Sequence, residues 1–176
     1  MCDSFVSTLN YWCSWSAGIG VWADDIDRLE SVHYDRMFPN TSLLLDLRPE
    51  GPFCIWNRKY QQMQDETGKG GYDLFRTFAV GFLDIIRRMQ EDGRVSHGTF
   101  LKVRKGLYGF LKETYRNVCV LHNPNTFILT GIKESMSVYY SRWHYYYMVL
   151  WSYSIGLVKC ILPAWKKRHP EQKVQQ

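Results

Sequence analysis

Residues 72–93 read YDLFRTFAVGFLDIIRRMQEDG, a segment in which large apolar side chains recur every three or four positions. This spacing places them on one face of a helix. The face comprises Phe75, Phe78, Ala79, Phe82, Ile85, Ile86 and Met89. Gly93 follows the last apolar position, and glycine often closes a helix because it adopts a left-handed backbone without strain. The segment therefore predicts an amphipathic helix that ends at Gly93.

A second helix is predicted immediately downstream, over residues 98–116, which read GTFLKVRKGLYGFLKETYR. One side of this helix is apolar and comprises Phe100, Val103, Leu107, Phe110, Leu111 and Tyr115. The other side carries Lys102, Lys105, Lys112 and Arg116. Gly106 and Gly109 each weaken a helix by about 1 kcal/mol relative to alanine. A break in the helix or a close contact would account for glycines at these two positions.

Strands are expected on both sides of this helical pair. The apolar run Leu43 to Leu47 ends in the turn sequence 48–52 and indicates an N-terminal strand. Residues 118–130 combine two apolar runs around His122-Asn123-Pro124-Asn125, a hairpin pattern. Residues 135–157 are rich in Tyr, Val, Trp and Ser and predict two further strands.

These elements together predict the α+β fold class. The expected architecture is a single compact domain with an N-terminal strand, two helices and then a mainly antiparallel β region. The predicted organisation is an aromatic, acidic N-terminal arm over residues 1–40, an α+β core over 41–162 and a basic mobile tail over 163–176. With 176 residues, the chain is long enough for one domain with a substantial core.

Aromatic residues are unusually frequent, at 16% of the chain, with 7 Trp, 12 Tyr and 9 Phe. A small core does not need this many large rings, so some are expected at an interface. The tryptophans that we assign to membrane contact or self-association are Trp12, Trp15, Trp22, Trp143 and Trp151.

Charge is distributed unevenly along the chain, although its net value is only +5. Residues 1–50 hold eight acids against three arginines, whereas residues 94–116 hold six cations against Glu113 alone. Clustered cations attract phosphate on nucleic acid or on lipid, and a plain solvated helix face is the alternative. The candidate polyanion-binding residues are Arg94, Lys102, Lys105, Lys112, Arg116, Lys166, Lys167 and Arg168.

No motif in the sequence nominates a catalytic residue or a metal ligand. The five cysteines are widely spaced without a C-x-x-C pair, and the five histidines show no metal-binding spacing. Neither G-x-S-x-G nor H-E-x-x-H occurs. We therefore predict a non-enzymatic protein without a cofactor or metal, in a compartment that keeps thiols reduced.

The order of elements resembles one known family. An apolar strand (Leu43 to Leu47) leads into an Arg-x-x-Gly-Pro-Phe turn (Arg48 to Phe53) and then into helical segments. Thr-Phe-Leu-Lys (Thr99 to Lys102) and Gly-Phe-Leu-Lys (Gly109 to Lys112) precede the final strands. From about Thr41 to Cys160 this arrangement is similar to rhabdovirus matrix proteins, most nearly the small plant cytorhabdovirus type.

The resemblance implies a virion protein that self-associates, condenses the nucleocapsid, binds the inner membrane leaflet and promotes budding. Its implied partners are further copies of itself, the viral nucleocapsid and an anionic membrane surface, with a viral glycoprotein tail and RNA as additional candidates. The implied location is the virion beneath the envelope, together with the host cytoplasm and the periphery of host membranes. The chain departs from the animal members in its acidic, Trp-rich front and in lacking a P-P-x-Y motif.

Two other functions fit the same residues. The cationic stripe from Lys102 to Arg116 would suit a nucleic-acid-binding viral accessory protein such as a silencing suppressor. The segment Trp143 to Trp165, followed by Lys166, Lys167 and Arg168, would suit a tail-anchored membrane protein.

Overall fold

The computed structural model describes residues 2–14, 34–47 and 70–168. Within these ranges the α-helices are α1 (Cys2–Leu9), α2 (Pro39–Leu47), α3 (Leu83–Glu91), α4 (His97–Tyr115), α5 (Ile132–Tyr139) and α6 (Arg142–Arg168). A 3-10 turn (Asn10–Ser14) follows α1, and wider π-helical turns precede α3 (Arg76–Phe82) and follow α4 (Arg116–Val120). Strands β1 (Gly70–Asp73) and β2 (Thr126–Ile128) pair in parallel.

The first predicted helix is confirmed, and its apolar face forms the centre of the core. The chain is helical from Leu74 through the π-helical turn into α3. Six of the seven residues of the predicted face are buried, namely Phe75, Ala79, Phe82, Ile85, Ile86 and Met89, while Phe78 is half-buried. Gly93 has a φ of +70°, the left-handed conformation expected at the end of this helix.

The second predicted helix is confirmed as α4. Ser96 caps its start, because the Ser96 hydroxyl accepts a hydrogen bond from the Thr99 backbone N–H at 3.2 Å. Phe100, Val103, Leu107 and Leu111 are buried along it. The Asn10 side chain lies where a Cβ at position 106 would project, so Gly106 allows a close approach of the N-terminal turn.

The predicted fold class is wrong. Instead of an α+β domain with a mainly antiparallel β region, the described residues are mainly helical, and the sheet within them has two short parallel strands. Residues 43–47 lie in α2, residues 118–120 end the helical segment after α4, and residues 135–157 lie in α5 and α6 apart from a short bend. Of the predicted hairpin only 126–128 is a strand, and it pairs with β1.

A turn held by Asp35 precedes the Leu43 to Leu47 run and favours a helix there. The Asp35 carboxylate accepts hydrogen bonds from the backbone N–H groups of Met37 and Phe38, at 2.9 and 3.1 Å. Pro39 then occupies the first helical position, where its fixed φ is favourable and its missing N–H costs nothing. These helix-start signals outweigh the short apolar run, which by itself does not distinguish a strand from a buried helix.

Tertiary packing explains why the Tyr-rich region is helical. Met148, Ser152 and Gly156 recur every four residues along α6 and are buried. A Cβ at Gly156 would lie 2.7 Å from the Val120 side chain, so the two helical segments meet too closely for a larger residue. Strand propensity is a weak preference that packing of this kind overrides.

The N-terminal residues pack onto α4. Val6 is fully buried, the Tyr11 ring stacks on Phe110 with 4.8 Å between centroids, and the Asp3 carboxylate accepts a hydrogen bond from the Ser96 backbone N–H at 2.7 Å. The Thr41 hydroxyl donates to the Cys13 carbonyl at 3.1 Å and joins this segment to α2. The predicted division at residues 40 and 162 stays a prediction.

Candidate functional site

Helix α6 has one buried face and one face that is largely exposed. Trp143 is 81% exposed and Leu150 is 69% exposed, while Tyr146, Tyr147 and Tyr153 are each about half exposed. At 3.6 residues per turn these five side chains fall within an arc of about 120°. We call this set, Trp143, Tyr146, Tyr147, Leu150 and Tyr153, the aromatic face.

Contacts with α4 hold the aromatic face in position. The Tyr108 hydroxyl donates to the His144 carbonyl at 2.7 Å, and the Ser152 hydroxyl donates to the Lys112 carbonyl at 3.5 Å. The Tyr140 hydroxyl, just before α6, donates to the Arg104 carbonyl at 2.9 Å. Residue numbers rise together in these pairs, so α4 and α6 run side by side in the same direction.

A lysine lies at each edge of the aromatic face. The Lys112 ammonium of α4 lies 3.9 Å from the ring centroid of Trp151 and 5.6 Å from that of Tyr147. On the other edge, the Lys133 ammonium of α5 lies 5.6 Å from the ring centroid of Tyr146. Neither ammonium is within ion-pair distance of a carboxylate among the described residues. Both are therefore positive charges held against rings by cation–π attraction.

Two of the predicted polyanion-binding residues, Arg94 and Arg116, make contacts within the protein. The Arg116 guanidinium forms an ion pair with Glu113, donates to the Asn117 side-chain oxygen at 3.2 Å and lies 5.6 Å from the Trp151 ring centroid. Only 11% of the Arg116 side chain is exposed, so it contacts Trp151 from the protein interior. The Arg94 guanidinium donates to the Leu45 carbonyl and ties the loop after α3 to the end of α2.

Those of the remaining predicted residues that the structure describes lie on α4, on the 3-10 turn and at the end of α6. Lys102 and Lys105 are exposed on α4, and the Lys102 carbonyl accepts a hydrogen bond from Asn10 on the N-terminal side. Trp12 is exposed on the 3-10 turn, with its ring stacked on Tyr11. Of the others, Lys166, Lys167 and Arg168 end α6. Trp15 and Trp22 lie outside the described residues.

The structure therefore brings together Lys112, Arg116, Trp151 and Trp143 of the predicted set. Sequence reasoning missed Tyr146, Tyr147, Leu150, Tyr153 and Lys133. A signal for the first four was present, because positions 143, 146, 147, 150 and 153 have helical spacing. The high Tyr content led instead to the strand interpretation.

Positive charge dominates this part of the molecule. The sequence of α6 holds Arg142, Lys159, Lys166, Lys167 and Arg168 and no acidic residue. The tyrosines beside the aromatic face remain neutral, since burial raises the pKa of Tyr108 and of Tyr115 to about 12. Burial raises the pKa of Tyr140 further. The positive charge here therefore comes from lysine and arginine, and the neighbouring helices α4 and α5 each hold one acid, Glu113 and Glu134.

Comparison with protein-family models, with curated proteins and with solved structures finds no match for the chain. Among the described residues, no group of three or more His, Cys, Asp or Glu side chains is arranged to hold a metal ion. None of the described helices combines the length and the apolar character needed to cross a membrane.

Proposed function

We propose that the protein is a matrix-type structural protein that binds the anionic inner leaflet of a membrane through the aromatic face of α6. The observation that carries this proposal is the exposure of Trp143, Tyr146, Tyr147, Leu150 and Tyr153 on one side of a helix without acidic residues. In this role the protein self-associates and links the nucleocapsid to the membrane during assembly.

Tyr and Trp side chains prefer the boundary between water and lipid. Their rings are buried among acyl chains near the surface while the O–H and N–H groups remain hydrated. A helix that lies in this boundary has an apolar face and cationic surroundings, and anionic lipid adds an attraction of about 1 kcal/mol per nearby Lys or Arg. The aromatic face, with Lys112 and Lys133 at its edges, has both features.

The proposal is supported by the surface of the protein more than by its order of elements. Residues 43–47 and 135–157, which the resemblance to rhabdovirus matrix proteins treated as strands, are largely helical. The self-association and nucleocapsid-binding parts of the proposal still come from that resemblance. The membrane-binding part rests on the aromatic face and its charge.

Vesicle flotation with a matched pair of variants tests the membrane-binding part. Leu150→Glu places a carboxylate in the centre of the aromatic face, and Met37→Glu makes the same change in charge at an exposed side chain before α2. Both positions are exposed, so both variants should fold. We expect wild type and Met37→Glu to float with phosphatidylserine vesicles at low salt, and Leu150→Glu to float at least about tenfold less.

Equal flotation of the two variants would refute the assignment of the aromatic face. Sedimentation velocity on the same samples measures the oligomeric state and tests a further possibility. If Leu150→Glu alters self-association and leaves flotation unchanged, the aromatic face contacts a second copy of the chain and not lipid.

A further inference from the structure

We infer that Lys112 and Lys133 form two binding sites for the phosphate groups of anionic phospholipids, one at each edge of the aromatic face. This inference rests on the proposed function and specifies its ligand chemistry. Together the two sites would fix α6 parallel to the membrane plane, with the aromatic face towards the lipid.

The Lys112 site is built from two helices. Lys112 extends from α4, and its ammonium lies 3.9 Å from the Trp151 ring centroid and 5.6 Å from that of Tyr147, both on α6. Arg116 contacts the same indole at 5.6 Å and is held by Glu113 and Asn117. Trp151 is therefore supported from within the protein, and the Lys112 ammonium is positioned beside the aromatic face.

The Lys133 site lies on the opposite edge. Lys133 belongs to the first turn of α5, is exposed, and places its ammonium 5.6 Å from the Tyr146 ring centroid. Tyr146 and Tyr147 are consecutive and are separated by about 100° around α6. The two lysines consequently approach the helix from different sides, one from α5 and one from α4.

Phosphate is the anion that this arrangement suits. An ammonium has three N–H donors and no fixed geometry, so a cation–π contact on one side leaves donors available on the other. The Lys112 and Lys133 ammonium groups lie over the rings of Trp151 and Tyr146, so these charges lie near the lipid phosphates when the rings are at the interface. Each ammonium can then donate to phosphate oxygens without breaking an existing ion pair, since neither lysine has one among the described residues.

The same observations favour lipid over two other occupants. A second α6 would bring another acid-free, positively charged helix against this one, and the like charges would repel. RNA would be attracted to the lysines and could stack bases on the exposed rings, but it has no apolar region in which to bury Leu150, which is 69% exposed at the centre of the face. Burial of Leu150 is favourable in the acyl region of a membrane.

Two double variants that lose the same charge test the inference. Lys112→Gln with Lys133→Gln removes both sites, whereas Arg36→Gln with Arg76→Gln removes two exposed cations, one before α2 and one in the π-helical turn before α3. Partitioning onto vesicles of phosphatidylcholine and phosphatidylserine is measured for each. We expect a loss of about 30-fold for the site variant and less than about threefold for the control.

A charge-preserving variant controls for folding. Lys112→Arg with Lys133→Arg keeps both cations, so it should retain most of the wild-type partitioning, and thermal melting identifies any destabilised protein. Equal losses in the site and control variants would overturn the inference while leaving membrane binding intact. Failure of the wild-type protein to bind vesicles would overturn the proposed function as well.

Fluorescence anisotropy with a labelled 20-nucleotide single-stranded RNA completes the test. We expect weak binding that the site and control variants reduce to a similar extent, because only general charge contributes. A selective loss of RNA binding in the Lys112 and Lys133 variant, with vesicle partitioning unchanged, would assign the two sites to nucleic acid and overturn the lipid assignment.

Discussion

At the residue scale, Gly106 and Gly109 of α4 have opposite roles. The Asn10 side chain occupies the space beside Gly106 and donates to the Lys102 carbonyl at 3.5 Å, whereas no atom lies within 4 Å of the position where a Cβ would be added to Gly109. The sequence showed only that both glycines weaken a helix. The structure distinguishes a glycine required for a close contact from one that is simply exposed to open space.

Alanine substitutions at these two glycines should therefore change stability in opposite directions. We expect Gly109→Ala to raise the free energy of unfolding by up to about 1 kcal/mol, because alanine has the higher helix propensity. We expect Gly106→Ala to lower it by about 1–3 kcal/mol, since the added methyl group displaces Asn10. Urea denaturation of the two variants measures both effects, and a stabilising Gly106→Ala would contradict the described packing of the N-terminal turn.

The start of α4 shows how one element depends on another at the element scale. Asp3 of α1 accepts a hydrogen bond from the Ser96 backbone N–H, next to the N-terminal end of α4, where a negative charge is favourable. Hydrogen bonds from the Thr99 hydroxyl and the Ser96 backbone hold the pKa of Asp3 below its ordinary value. The sequence did not predict this contact, because the two partners are far apart in the chain.

This contact predicts a pH-dependent contribution to stability. A carboxyl group with a lowered pKa in the folded state stabilises the protein above its ordinary pKa, and this contribution disappears as the pH falls through the folded-state value. We therefore expect Asp3→Asn to melt at a lower temperature than wild type at pH 7. The difference should shrink as the pH is lowered below about 4. A difference that does not depend on pH would rule out a charged capping contact.

Helices α3 and α4 were predicted from the sequence, whereas α2 and α6 were predicted as strands. The long periodic segments that became α3 and α4 were predictable, because many apolar side chains repeat with helical spacing. The short run at Leu43 to Leu47 fits a strand or a helix equally well, and the turn at Asp35 with Pro39 at the first helical position favours the helix. In α6 the Tyr and Trp residues have strand propensity, but burial of Met148, Ser152 and Gly156 against neighbouring helices requires a helix.

The candidate site was predictable only in part for the same reason. Lys112, Trp143 and Trp151 stand out in the sequence through charge and aromatic content. Their grouping depends on α4 and α6 running side by side, which requires the helical assignment of α6. Lys133 comes from α5, and its contact with Tyr146 could not be predicted from a sequence read as strands.

At the scale of the whole molecule, charge and aromatic surface coincide. The described N-terminal residues that pack on α4 hold one acid, Asp3, and α6 contains none. Most of the described aromatic residues lie in or against the core or on the aromatic face, while Trp12 and Tyr34 are exposed elsewhere. Among the described residues, the aromatic face therefore combines exposed rings with neighbouring cations, as our proposal of an anionic interface requires.

Direct contact between the aromatic face and the acyl region is the central claim. It is tested most directly by tryptophan fluorescence on phosphatidylserine-containing vesicles whose lipids carry bromine just below the headgroup, because bromine quenches only nearby indoles. We predict quenching of wild type and of Trp12→Phe, and markedly less quenching of Trp143→Phe, since Trp143 is the most exposed ring of the aromatic face. Unchanged quenching in Trp143→Phe, with the protein bound to the vesicles, would contradict the account.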